Sequence, residues 1–281
     1  MLLEMSLQQW LGLSLAGAVV TTVGSLVATV LKEFFFTRSF DRWRRHQDRL
    51  ATYERFRDPL AVSAIELANR LIEITDQYPP AYLKRSVFVL RPDKQMGNDA
   101  SDPYFQHYKL VSTIYRFACL FGWLELYRQE TTFLRVADER KTRALQDAVT
   151  AIRGDVADGH INAHEDWRTW HDTLIFREEL RALGEAMIET RGQSRSIMGY
   201  GTFRDCVESE QANAVHRVCG TIMNFTVDAQ DIAKDFRRER LVRLLAHLVD
   251  LIELLSPAAL NSRLRTARKK ALSSTTAWPK A

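Results

Sequence analysis

The chain opens on an uninterrupted apolar run. Over residues 5–31 no side chain is charged, and residues 10–31 are almost wholly apolar or small. At about 1.5 Å per helical residue the run exceeds the ~30 Å of a bilayer's hydrocarbon layer, which predicts a membrane-spanning helix over about 10–31. It sits within an N-terminal anchor at 1–36. Trp10 at one end and Phe34, Phe35 and Phe36 at the other suit the two interfaces. A cleaved signal peptide fits less well: Glu4 stands where a basic leader belongs, the run is too long, and Leu26-Val27-Ala28 is a poor cleavage site.

Beyond the anchor the apolar positions recur at helical spacing. Phe36, Phe40, Trp43, Leu50, Tyr53, Phe56 and Leu60 form one stripe, interrupted at Gln47, which predicts a helix continuing from the span. Asp58-Pro59 reads as the N-cap and first residue of a new helix, with Leu60, Ala64, Leu67, Leu71 and Ile74 as its buried face. Residues 76–103 hold four of the seven prolines plus Gly97-Asn98 and predict a long loop, within which 86–90 can form a short strand. The segment from Tyr104 to Leu126 is the most apolar after the anchor. Arg116 and Glu125 inside it argue against a second span, so it predicts a helix buried on most sides. Helices follow over 138–153 and near 172–190, 200–228 and 232–255, with a loop at 154–160 and Ser256-Pro257 as the last stop. From 261 to 281 the residues are mostly Ser, Thr, Ala, Arg and Lys, and predict a flexible basic tail. The fold class is therefore all-α: an N-terminal transmembrane helix continuing into a cytoplasmic helical bundle over 37–260.

Composition and charge refine this picture. With 12 Gly and 7 Pro in 281 residues, a β-sandwich or a largely disordered chain is disfavoured. Cys119, Cys206 and Cys219 are odd in number and irregularly spaced, which suits a reducing compartment. No Lys or Arg precedes the span, whereas Lys32, Arg38, Arg42, Arg44, Arg45 and Arg49 follow within about 18 residues, so positive-inside bias predicts the inner membrane, with the N-terminus outside and the body cytoplasmic. The same six side chains can meet anionic lipid headgroups. Residues 32–57 hold eight basic and four acidic side chains and residues 261–281 six and none; with a total of +4, the rest of the chain carries −6. A body of that sign disfavours nucleic acid as a partner. Gly17, Thr21, Ser25 and Ala28 form a small-residue stripe in the span, a face on which two copies can pack into a homo-oligomer.

Five stretches, FRDPLAVSAIELANRLIEI (56–74), STIYRFACLFGWLELYRQETTFL (112–134), FREELRALGEAMI (176–188), GYGTFRD (199–205) and RLVRLLAHLVDLIELLSP (240–257), resemble an uncharacterised family of bacterial single-span, membrane-anchored, all-helical proteins. The resemblance implies a helical cytoplasmic body and no particular activity.

The chain contains no Walker loop, nucleophile elbow, His-Glu-x-x-His or Cys-x-x-Cys, and no cofactor is implied. His160, His164 and His171 can share a helix face as metal ligands would, but without orienting partners they read as solvated polar residues and no metal is expected. His216 and Cys219 lie one turn apart without an orienting acid. The most promising constellation is Arg177, Glu179, Arg181 and Glu185, where Gly184 allows a close helix neighbour; Arg116 is expected to pair with Glu179 or Glu185, and Tyr200 to stand nearby. These features predict a membrane-tethered, self-associating scaffold that recruits a cytosolic protein. The alternatives are a small-ligand sensor or novel enzyme using the Arg/Glu cluster, or a membrane-acting defence-type effector.

Overall fold

The structure, a computed structural model, describes residues 7–32, 38–77, 103–130, 139–159, 168, 171, 174–192, 194–209, 213–226 and 236–274. The described residues are overwhelmingly helical, and the chain divides into two compact units, Met1–Ala51 and Thr52–Ala281.

The first unit contains α1 (Leu7–Leu31). Its 21-residue stretch Trp10–Val30 has a mean hydropathy of 1.8 and none of it is buried. The five hydroxyls in this stretch are all satisfied within the helix. Thr21 donates to the Gly17 carbonyl at 2.7 Å, Thr22 to Ala18 at 2.8 Å and Thr29 to Ser25 at 2.8 Å, while Ser14 and Ser25 reach carbonyls three residues back. Such back-bonding removes the need for an external partner. Gly17, Thr21, Ser25 and Ala28 are exposed on this helix. Beyond it, α2 (Arg38–Ile72) begins, with Phe40 and Trp43 exposed and their rings 5.8 Å apart.

Within α2 the expected restart at Asp58-Pro59 does not occur: the helix runs through Pro59. Asp58 pairs with Arg57 (2.8 Å) instead of capping a new helix. A proline inside a helix forfeits one backbone hydrogen bond. Burial of Phe56, Leu60, Ala61 and Ala64 around it, each at most 3% exposed, holds the helix together. A π-turn, Glu73–Gln77, ends it; the rest of the expected loop, including the strand at 86–90, lies outside the described residues.

Among the described residues, the body's buried core begins at Phe56, with Tyr53 packed against it. At its centre is α3 (Pro103–Glu130), apolar on nearly every side as expected, with Leu110, Ile114, Phe117, Leu120, Phe121 and Leu126 at 2% exposure or less. Against it and one another pack α4 (Glu139–Ala157), α5 (Arg177–Ala186), α6 (Tyr200–Glu208), α7 (Ala214–Thr226) and α8 (Phe236–Leu255).

Three further boundaries depart from the sequence reading. The expected loop from 154 is helical to Ala157, because Asp155 and Val156 are buried. Helix α5 ends ten residues after it begins, and Met187 leads into an antiparallel hairpin, β1 (Ile188–Arg191) with β2 (Ser194–Ile197), turned at Gly192 with φ +63°. Only glycine adopts that backbone without strain. The expected helix over 200–228 breaks between α6 and α7, where the Asn213 carboxamide accepts the His216 N–H (2.8 Å) and donates to the Cys206 carbonyl (2.7 Å). A side chain that caps the next helix this way favours a break over continuation.

Of the expected flexible tail, residues 262–274 form α9 (Ser262–Ser274), capped by Asn261, which accepts the Leu264 N–H at 2.9 Å; residues 275–281 lie outside the described residues. Leu264 is fully buried and Ala271 nearly so, while Arg268 pairs with Asp250 (2.6 Å) and Lys270 with Asp76. Its basic residues therefore stand on a helix anchored to α8 by one apolar stripe. Leu264→Ala should cost about 2–4 kcal/mol and release this stripe. Amide hydrogen exchange across 262–274 would rise sharply while α3 stays protected; unchanged protection in α9 would contradict the anchoring role.

Candidate functional site

The expected pairing of Arg116 with Glu179 or Glu185 is not made. The Arg116 guanidinium donates to the Ser112 carbonyl of its own helix (3.3 Å), and the Glu179 carboxylate accepts the Phe176 N–H at the start of α5 (2.9 Å). The acid that α3 presents to α5 is Glu125, only 1% exposed. Gly184 makes room for it: a Cβ there would lie 2.6 Å from both the Glu125 Cβ and the Phe121 carbonyl. The close approach expected at Gly184 is therefore real, with a different acid behind it.

Glu125 receives Arg128 through two hydrogen bonds (2.5 and 2.7 Å) and Gln129 through a third (2.8 Å). Burial pushes its carboxyl upward, but these bonds and the fields of Arg128 and Arg181 outweigh burial and hold it below the usual carboxylate range. Gln129 in turn accepts a hydrogen bond from Arg195 on β2. Arg153, half-buried on α4, feels Glu125, Arg181, Arg128 and Arg177; burial lowers its pKa, and three like charges add to that against one glutamate. Arg177, Arg181 and Glu185 are exposed on α5. Three of the expected residues, Arg177, Arg181 and Glu185, thus join a larger arginine group around Glu125, to which α3, α4, α5 and β2 all contribute.

Tyr200 belongs elsewhere. Its ring stacks edgewise on Tyr115 (5.3 Å) and Tyr108 (6.3 Å), and the Tyr115 hydroxyl donates to the Met198 carbonyl (3.3 Å). Burial raises the pKa of Tyr200, and pushes Tyr115 to about 12, Cys119 to about 11 and Cys219 to about 12. These phenols and thiols stay protonated at neutral pH, which suits packing rather than nucleophilic attack. His216 directs its Nδ1 to the Val207 carbonyl (3.1 Å) and so is not poised on Cys219. Among the six membrane-interface candidates, Lys32 and Arg44 are exposed; the side chains of Arg38, Arg42, Arg45 and Arg49 lie outside the described residues, as do His160 and His164.

A second polar centre went unread in the sequence. Arg240 on α8 is fully buried and donates to the carbonyls of Asp155 (3.0 Å) and Asp158 (2.8 Å) at the end of α4. The Asp155 carboxylate, 3% exposed, holds His247 through its Nδ1 (2.7 Å) and lies 3.6 Å from Arg243. A guanidinium on the last carbonyls of a helix satisfies orphan acceptors and complements the helix dipole. The cue in the sequence was position: Arg240 lies four and eight residues before the core leucines Leu244 and Leu248.

The two carboxylates make opposite demands on pH. Glu125, depressed in the fold, contributes stability above its unfolded pKa that is lost as pH falls through the folded one. Burial raises Asp155, outweighing His247, Arg243 and Arg240, so its contribution is lost as pH rises from the unfolded towards the folded pKa. Glu125→Gln should flatten the acid-side loss of stability below about pH 4, and Asp155→Asn should remove the opposite slope. Thermal unfolding followed against pH for both variants checks the signs; parallel curves for the two would contradict them.

Comparison with protein-family models, with characterised proteins and with solved structures gives no match for this chain.

Proposed function

We propose that the protein is a membrane-tethered cytoplasmic scaffold, with α1 spanning the inner membrane, the N-terminus outside and the helical body presenting binding surfaces to cytosolic proteins. The observation that carries this reading is the unburied apolar helix Trp10–Val30, whose hydroxyls are satisfied internally. The basic flank Lys32, Arg38, Arg42, Arg44, Arg45 and Arg49 supports the orientation and contact with anionic headgroups. The stripe Gly17, Thr21, Ser25 and Ala28 supports self-association in the bilayer.

Two measurements test the reading. Full-length protein should resist carbonate extraction from membranes, and its body should be cut by protease only after the cells are opened. Crosslinking in native membranes should trap a homo-oligomer that weakens in a Gly17→Leu/Ser25→Leu variant. Free protein in the soluble fraction, or a body digested outside intact cells, would end the tethering claim; a monomer throughout would end the self-association claim.

A further inference from the structure

Over residues 38–50, the first turns of α2, the apolar side chains are Phe40, Trp43 and Leu50, and Gln47 completes a spacing of three, four and three. Phe40 and Trp43 are 59% and 57% exposed, Gln47 is exposed and Leu50 half-buried. Alternating steps of three and four are the a and d positions of a heptad. A stripe confined to them is the narrow seam of a coiled coil, not the broad face that a helix buries in a core or lays on a bilayer. The neighbouring positions separate these cases further. Asp41 and Asp48 directly follow Phe40 and Gln47, which sets acids beside the stripe, against the negative potential of an anionic leaflet. Gln47 in mid-stripe gains nothing among acyl chains, whereas a single polar a position fixes register and strand number between helices. The arginines at 42, 45 and 49 each stand two residues after a stripe position, about 200° round the helix and so away from the seam. With the seam in register, the flanking g and e positions set Ser39 opposite Arg44 and His46 opposite Ala51, so no two arginines meet.

We propose that Phe40, Trp43, Gln47 and Leu50 form the seam of a parallel two-stranded coiled coil between two copies of this chain. Two heptads are too short to associate strongly by themselves, and a shared bilayer supplies the raised local concentration that they need. The inference deepens the self-association reading and rests on tethering through α1, which delivers both copies in parallel.

Single cysteines are introduced into the full-length protein, and its native membranes are oxidised in air with copper–phenanthroline; the parent, with Cys119, Cys206 and Cys219, sets the background. Gln47→Cys and Leu50→Cys should give at least about fivefold more disulfide-linked dimer than Arg45→Cys and Arg49→Cys, since a disulfide brings Cβ atoms to about 4 Å and only seam positions meet. Adding Trp43→Glu to Gln47→Cys should return the dimer to background. Equal dimer at all four positions, none at any, or a Gln47→Cys dimer untouched by Trp43→Glu overturns the proposal. If no dimer forms, a nitroxide on Gln47→Cys relaxed more by lipid-dissolved oxygen than by a water-soluble nickel chelate identifies the bilayer as the occupant instead. Carbonate extraction of the same membranes reports tethering separately, and Gly17→Leu/Ser25→Leu reports contact within the span, so each failure is distinguishable from failure of the seam.

Discussion

Replacing Arg240 by leucine should destabilise the helical body by about 3–5 kcal/mol, the usual cost of removing one partner from a buried, hydrogen-bonded charge group. For a body of this size that lowers the melting temperature by on the order of 10 °C. The loss has two parts. The carbonyls of Asp155 and Asp158 lose their donors at a buried helix end, and the Asp155 carboxylate loses a neighbouring positive charge. Burial lowers the Arg240 pKa to about 10, with Asp158 and Asp155 opposing, so the side chain remains charged at neutral pH. Arg240→Lys keeps the charge but not the fork that reaches two carbonyls, and should fall between parent and leucine variant. Circular-dichroism melts of the three proteins in detergent decide it; a leucine variant as stable as the parent would show that apolar packing replaces the cap at no cost.

The second large effect concerns two glycines with opposite expectations. In an exposed helix, glycine to alanine gains up to about 1 kcal/mol. Gly154 on α4 follows that rule, because an added Cβ meets nothing within 4 Å, and Gly154→Ala should stabilise. Gly184 should not. Its added Cβ would sit 2.6 Å from the Phe121 carbonyl, a backbone atom that cannot rotate away, and 2.6 Å from the Glu125 Cβ. Overpacking of this kind costs about 1–3 kcal/mol and exceeds the propensity gain, so Gly184→Ala should destabilise and Gly184→Val more so. Separating α5 from α3 would also disturb the Glu125 group. Denaturation midpoints for Gly154→Ala and Gly184→Ala moving in the same direction would refute the close-approach account.

Much of the helical body could be read from periodicity. Leu60, Ala64, Leu67, Leu71 and Ile74 are all buried where the stripe placed them, and α3 is central because it is apolar all round. The misread boundaries share a cause: local signals were outweighed or too short to register. Pro59 sits in a helix that core packing holds together; the hairpin after α5 turns at Gly192, within a stretch that helical spacing also fitted; α9 is basic in composition, yet one stripe of Leu264, Ala267 and Ala271 fastens it.

The arginine site was half legible. Arg177, Arg181 and Glu185 stood out as charges within an apolar segment, next to a glycine that signalled a close neighbour. Arg128, Arg153 and Arg195 gave no such signal, because each is an ordinary polar residue on its own element and gains meaning only where the elements meet.

The sequence by itself determined the apolar opening helix, the all-helical class and the faces each main helix buries, since these follow from the spacing of side chains along one chain. Tertiary structure alone decided which charge meets which: Glu125 with Arg128 rather than Arg116 with Glu179, and Arg240 on the carbonyls of α4. Partner choice depends on how helices rotate and cross, and a residue's neighbours across such a contact are set by packing of whole faces rather than by its own position in the sequence.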